Sequence, residues 1–414
     1  MADKPYDVAV IGAGIIGLAC AFRLAREGQR VLLLDRTAPG QGASFGNAGH
    51  IATEQVFPLA SPEVVRGALR YLLDAESPLR IRPAYLASIL PWLLRFAWAS
   101  RRLSFDRGTA ALSSLQSTAA ADLAALLSDV GAAHLMHMDG HMVLVESSSS
   151  VAAAQKEVAA LAKFGIETNW ISPLQVREIA PDLTVPVEGA LKFSGTGHVD
   201  DPHAVCQALF AAFLAAGGKF VQSEVTDIAG SGDFSVTTSG GESHQAENVL
   251  LSCGAWSKAL AARIGYSLPL DTERGYHITL GGFTPRFNIP IASYERKVIM
   301  TPMSCGLRMT GTVEFGGLRL PPDERRFELL KRHMNALMGN MPTENASTWM
   351  GFRPSLPDHL PVLGRVPDGR KLFMAFGHQH LGLTLSGVTA RIIAAQIMGR
   401  NAGIDLQPFA ADRF

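Results

Sequence analysis

The chain has 414 residues, 37 basic against 37 acidic side chains, and 47% hydrophobic against 18% charged residues. That length suits two domains, interleaved around room for a large cofactor; the balanced charge excludes a nucleic-acid binder steered by a basic field. The four cysteines, Cys20, Cys206, Cys253 and Cys305, are scattered without a CxxC pair, which excludes a disulfide framework or an iron–sulfur cluster and fits a reducing, cytoplasmic setting.

Residues 6–11 (YDVAVI) read as a buried strand, residues 15–27 as a helix stopped at Gly28, and RVLLLD as a second strand, together a βαβ opening. Val8 to Phe22 has the apolar look of a signal sequence, but Asp3 and Asp7 precede it and three glycines interrupt it. From Ser61 to about Ser128 the pattern is helical, with Pro62, Pro78, Pro83 and Pro91 predicted to cut it into short pieces that form a cap. Within it, Tyr85 to Ala99 (YLASILPWLLRFAWA) falls short of the roughly 18 apolar residues a membrane span needs. Its two Trp and the flanking Arg101 and Arg102 make it a candidate for lying on a membrane surface, with packing onto the protein's own core as the alternative. HMVLVE (141–146) reads as a strand, Val151 to Phe164 as a helix stopped by Gly165, and Asp201–Pro202 as the capped start of a helix that ends at Gly217 and Gly218. The short strands KFVQ, VTDIA and FSVTT follow, and NVLLSCG leads back toward the nucleotide sheet. Residues 275–314 alternate as an antiparallel sheet does, and residues 371–399 form a last βα pair.

Gly12-Ala13-Gly14-Ile15-Ile16-Gly17 is a GxGxxG between a strand and a helix, with Asp35 and Arg36 closing the next strand. Gly12 permits the tight turn, Gly14 leaves no side chain between backbone and pyrophosphate, and Gly17 lets helix and strand approach. The helix N-terminus then offers free N–H donors to phosphate, and Asp35 can accept from both ribose hydroxyls. The motif alone does not separate FAD from NAD. No second GxGxxG follows, so electrons are expected to come directly from a substrate.

The order of motifs resembles the D-amino-acid oxidase and glycine oxidase superfamily, and in detail the bacterial D-amino-acid dehydrogenases. GASFGNAGH (Gly42 to His50) is similar to the family's second flavin-contacting loop, which implies cofactor contacts from Ser44, Asn47, Ala48, Gly49 and His50. KFVQSEV resembles the strand whose Val225 meets the adenine, and LLSCGAWS the turn beneath the cofactor, with Cys253, Gly254 and Trp256 at the matching positions. RGYHI falls where the family chain crosses toward its active site, making Tyr276 and His277 candidates for the substrate pocket. GFRPSLPDHLPVLG looks like the segment whose arginine, here Arg353, grips the substrate carboxylate; a guanidinium offers a carboxylate a planar fork at every working pH. GHQHLGLTLSG resembles the turn that closes the flavin site, implying Gly377, His378, Leu381, Gly382, Leu383 and Thr384, with His380 beside the substrate.

The resemblance implies an α/β fold: a Rossmann-like FAD-binding domain (1–60, 196–265 and 350–414) interleaved with an antiparallel-sheet substrate domain carrying helical insertions (61–195 and 266–349). It implies FAD-dependent oxidative deamination of a small amino acid, with a D-amino acid as the first expectation. Hydride passes from Cα to flavin N5, and the imine is hydrolysed to a 2-oxo acid and ammonia. The alternatives are an oxidase or dehydrogenase of a cyclic or N-substituted amino acid (D-proline, D-hydroxyproline, sarcosine or glycine) and a flavin subunit serving electron relay. The electron acceptor is open between oxygen and a membrane quinone, the latter placing the enzyme peripherally on the inner face of the cell membrane. Covalent flavin attachment is also open, with His50 near the motif. HLMHMDGH (His134, His137, His141) invites a metal reading, but its Met-rich surroundings, Asp-Gly turn and lack of an acidic partner argue against it, and no metal is expected.

Overall fold

Tyr6–Ile11 and Val31–Asp35 run parallel, joined by the helix Ile15–Arg26, because apolar runs buried on both faces pair in this way. The computed structural model describes residues 4–73 and 77–414; Asp3 and residues 74–76 of the helical stretch lie outside the described residues. Ser243–Leu251 returns parallel to Tyr6–Ile11, as NVLLSCG predicts, and Leu372–Phe376 adds on its far side. Lys219–Gln222 extends the other edge, Val362–Arg365 pairs antiparallel with Leu372–Phe376, and an antiparallel branch from Val225–Ala229 and Phe234–Thr238 completes an eight-stranded sheet. Helices Ile15–Arg26, Pro202–Ala215 and Ser386–Ile397 pack together on one face. Asp201 caps the second of these, its carboxylate accepting from the His203 and Ala204 N–H groups.

A second, nine-stranded and mostly antiparallel sheet carries Ser347–Ser355, Asp271–Gly281, Gly306–Phe315 and Val298–Met303 in that order before continuing to Ile291–Ser293 and His141–Val145. Asp271–Gly281 pairs along its length with Ser347–Ser355, from Asp271 opposite Ser355 to Thr279 opposite Ser347. That continuous pairing crosses residue 350, so the antiparallel sheet extends past the boundary drawn from the sequence and takes Arg353 with it. A three-stranded sheet of His50–Ile51, Gly197–Val199 and Met136–His137 lies in a separate small layer.

The helical stretch departs from expectation at Pro91, which lies inside Leu86–Ala99 instead of ending a helix. Ala87, whose carbonyl loses its partner to the proline, is exposed like Pro91 itself, so water can satisfy the orphaned acceptor. Leu86, Leu90, Leu94 and Trp98, four residues apart, are 51–65% exposed and form an apolar stripe. Trp92 on the opposite side packs on Phe315. No described helix is long and apolar enough to cross a membrane.

Candidate active site

A cavity of about 510 Å³ begins at the glycine turn and runs along the ends of the parallel strands. Gly12, at φ +109°, lies against the Ser252 backbone, and Gly17 against the Gly12 carbonyl, so the fold itself demands both. Gly14 differs: a Cβ there would meet only the Ser44 hydroxyl, at an ordinary 3.5 Å. No packing within the chain accounts for its missing side chain, whereas a dinucleotide lying on the backbone does. The N-cap residue, Gly14, has no side chain to cap the helix, and no acidic residue occupies the first turn, which suits a pyrophosphate. Asp35 is held by the N–H groups of Ala13 (2.7 Å) and Thr37 (2.8 Å) and lines the cavity with lone pairs to spare. Ser44 accepts from the Ile15 N–H at 3.0 Å, and Arg36 lies over the Trp256 ring. Ala13, Ile15, Ile16, Asn47, Val225, Cys253, Gly254, His378, Gly382 and Leu383 also line this space. These residues fit FAD: a glycine cradle and helix N-terminus for the phosphates, an acid at the second strand end, and small residues further along.

A second cavity of about 60 Å³ adjoins the first, and Ala43, Asn47, Trp349, Gly351 and Gln379 are walls of both. Its remaining walls include Ala48, Gly275, Thr310, Arg353 and His380. Alternation along Asp271–Gly281 decides what faces it. Glu273, Gly275 and His277 lie opposite Arg353, Gly351 and Trp349 on one face of the sheet. The Arg353 guanidinium lies where a Cβ on Gly275 would be. Among the described residues, its one hydrogen bond is donated to the Thr312 carbonyl at 3.4 Å. Thr312 sits at φ +59° where the register of Gly306–Phe315 against Asp271–Gly281 slips, a bulge that turns its carbonyl toward the arginine. Burial pushes the His380 imidazole down to about 3, with the Arg353 charge adding to the effect, so the ring is neutral at working pH.

Tyr276 is a correction. Its side chain leaves the opposite face, where the hydroxyl donates to Glu314 (3.0 Å) and accepts from the Asp323 N–H (3.1 Å), away from both cavities. His277 shares the face of Arg353 but lines neither cavity: its Nδ1–H donates to the Gly46 carbonyl (3.1 Å) and its ring stacks on Trp349. It therefore positions the second flavin loop. His50 and Gly49 also leave the cofactor cavity, Gly49 lying against the Val199 carbonyl and His50 bonding to the Gly197 carbonyl and Glu54. Both ring nitrogens of His50 are engaged, so it does not present itself as a covalent tether. Leu381 is core, and Gly377, at φ +86°, packs under Leu356. Thr384 accepts from the Ala52 N–H at 3.0 Å, stapling the two flavin loops together instead of facing the ring. The HLMHMDGH histidines separate: His134 is exposed, His137 sits 3.4 Å from Asp200, and His141 is buried against His50.

The wall residues that sequence reasoning missed include Trp349 and Gln379. Trp349 was accessible from alternation, since 349, 351 and 353 must share a face. Gln379 sits inside the quoted GHQH but in a left-handed conformation (φ +52°) that no local signal announces.

The family model for FAD dependent oxidoreductases (DAO) matches residues 7–396. The chain is 33% identical to a D-amino-acid oxidase from Bradyrhizobium diazoefficiens, with 98% of both chains covered. It is 29% identical to D-amino acid dehydrogenase 2 from Ralstonia nicotianae, with 98% of this chain and 100% of that one covered. The structure matches that of glycine oxidase from Geobacillus kaustophilus with a TM-score of 0.76 at 25% identity, covering 99% of both chains. With a nucleotide cradle at one end, a small arginine-lined chamber at the other, and a family match across nearly its full length, the chain belongs to the DAO family of FAD-dependent oxidoreductases.

Proposed function

We propose that this enzyme oxidises the carbon–nitrogen bond of a small amino acid, with a D-amino acid as substrate, giving a 2-oxo acid and ammonia after hydrolysis of the imine. The observation that carries the reading is Arg353, half-buried in the wall of a chamber of about 60 Å³ with most of its donors unspent, the chamber sharing walls with the nucleotide cavity. Bound FAD supplies the two-electron acceptor for the hydride that leaves the substrate carbon. Arg353 grips the substrate carboxylate through a bidentate fork and thereby fixes which face of Cα turns toward the cofactor cavity. His380, neutral at working pH, accepts a hydrogen bond from the substrate amine and so orients it; the extra proton of the ammonium form goes to water, and the neutral amine is the form whose hydride leaves. Trp349 and Gln379 close the chamber, and its volume favours a short side chain. We propose with this the two-part division inferred from the sequence, with the boundary at 350 moved to the end of Ser347–Ser355. The names of two relatives, a D-amino-acid oxidase and a D-amino acid dehydrogenase, support the D-configuration. The small volume and the glycine oxidase likeness favour glycine or sarcosine as the second reading.

The acceptor belongs to the same proposal. The exposed stripe Leu86, Leu90, Leu94 and Trp98, bordered by Arg95, Arg101 and Arg102, has the composition of a helix that lies in an anionic membrane surface, where a quinone is at hand. Anaerobic mixing with D- and L-alanine, glycine, sarcosine and D-proline, followed at the flavin absorbance, tests the reading. Bleaching by D-alanine and not L-alanine is expected. Bleaching confined to glycine and sarcosine installs the second reading, and no bleaching by any of them removes both. Reoxidation by a soluble quinone faster than by oxygen is expected; the reverse order removes the quinone.

A further inference from the structure

Outside both cavities, three side chains from two distant segments converge: His50 on the short strand after the flavin loop, Glu54 four residues on, and His141 at the start of His141–Val145. Their donor atoms all lie within 4.8 Å of one another, and the two imidazole rings are 4.5 Å apart. We propose that His50, His141 and Glu54 form a binding site for a divalent transition-metal ion of the zinc type.

The ligand chemistry follows from the partners each group already has. The Nδ1 of His50 is 3.0 Å from the Gly197 carbonyl, which can only accept, so that nitrogen carries the hydrogen and Nε2 faces Glu54. The Nδ1 of His141 is 3.1 Å from the Thr196 hydroxyl, which leaves its Nε2 for a ligand. A ring whose far nitrogen is fixed by a carbonyl or hydroxyl is the arrangement in which histidine binds metal. Glu54 is 6% exposed, and its Oε2 is buried without a hydrogen-bond partner among the described residues. A bare buried carboxylate oxygen is costly, and a cation supplies what it lacks. Two imidazole nitrogens and one carboxylate make a three-ligand set that leaves a coordination position for water.

The surroundings are built to hold this geometry. The loop carrying Glu54 is fixed by Gln116, which donates to the Ala52 and Gln55 carbonyls, and by Thr53, which donates to Gly195. Phe193 stacks on His141. Because Ala52 is also tied to Thr384, the ion would join the small sheet, the antiparallel sheet and the turn closing the flavin cavity. None of the three ligands lines either cavity, although His50 and Glu54 lie within electrostatic reach of His380, so the ion would touch neither substrate nor cofactor.

The test uses the FAD-loaded full chain, stripped with a chelator and dialysed against Zn²⁺, with metal measured by mass spectrometry and its ligands by zinc K-edge X-ray absorption. One tightly held Zn²⁺ per chain, with a nitrogen/oxygen shell showing imidazole scattering, is expected. Glu54→Gln and His141→Ala should each weaken uptake by about 100-fold, while the exposed His134→Asn leaves it unchanged. Substoichiometric uptake, a shell without imidazole, or equal uptake by the Glu54→Gln chain would overturn the proposal. If the variants do not fold, the stoichiometry and absorption spectrum of the unaltered chain decide.

Discussion

Arg274, fully buried, and Arg353, half-buried, lie on adjacent strands, yet they sit on opposite faces of the same sheet and differ in every hydrogen-bond partner. Arg274 spends its guanidinium completely: on Glu314 and on the carbonyls of Gly316, Gly317, Leu320 and Pro321. Arg353 makes one hydrogen bond among the described residues, to the Thr312 carbonyl at the long end of the range, with the Glu273 carboxylate opposite it near enough to act on its charge. A guanidinium taken out of water and saturated by its own chain is architecture; one left with unspent donors inside a chamber is waiting for an anion. The contrast extends to the neighbours. Tyr276, Ile278 and Arg274 face a packed core, whereas Gly275 and Gly351 keep the other face low enough for the Arg353 guanidinium and the Trp349 ring to lie flat.

The largest effect that would break this comparison is on the saturated side. Arg274→Ala strips the fully buried Glu314 of its closest cation, leaving Arg82 at 3.6 Å, and takes a donor from four carbonyls; it should cost about 3–5 kcal/mol of stability, read as a collapse of Tm or loss of soluble protein, and a Tm within two or three degrees of the parent would show that the network is dispensable. Next, Arg353→Ala should lower kcat/KM by roughly 10²–10³-fold while the yellow chromophore and Tm persist. An unchanged kcat/KM would remove the carboxylate assignment. Tyr276→Phe removes one donor to Glu314 and one acceptor for the Asp323 N–H, so about 1 kcal/mol of stability should go with kcat/KM intact; a large loss of turnover would return Tyr276 to the site.

The smallest expected effect concerns pH. His277, His378 and His380 are each held down to about 3 by burial, against an ordinary value of 6.5. The unfolded chain therefore binds more protons than the native one below pH 6.5. The stability these rings contribute is fully present above that value and drains away as pH falls toward 3. His277→Gln keeps a donor for the Gly46 carbonyl and removes one titrating ring, so the fall in Tm between pH 7 and pH 5 should shrink; an identical fall would show that His277 is not among the groups responsible.

The nucleotide end was legible because its constraints are local: a strand, a turn and a helix start within a dozen consecutive residues specify Gly12, Gly14 and Gly17 without reference to the rest of the chain. The substrate end was legible only in its arginine. RGYHI places two polar aromatic residues side by side, and alternation dictates that only one of them can share a face with Arg353. The choice is fixed by register against Ser347–Ser355, some 75 residues away, and the sequence of RGYHI does not contain it. The same limit explains His50, which follows the flavin loop in sequence but is drawn off by pairing with Gly197–Val199. Pro91 escaped for a different reason: a proline ends a helix when the orphaned carbonyl is buried, and here the surface absorbs it.

The wall between the two chambers, built from Ala43, Asn47, Trp349, Gly351 and Gln379, restricts how the enzyme can change its diet. Any side chain trimmed there to admit a bulkier substrate also alters the bed on which the cofactor rests, so gains in range are coupled to losses in holding the flavin. Thr310 and His380 border the small chamber alone. Divergence toward new substrates therefore has its cheapest route through Thr310, since His380 meets the reacting amine, and a library that varies Thr310 while fixing the partition and His380 is the one that should yield altered selectivity in chains that still emerge yellow.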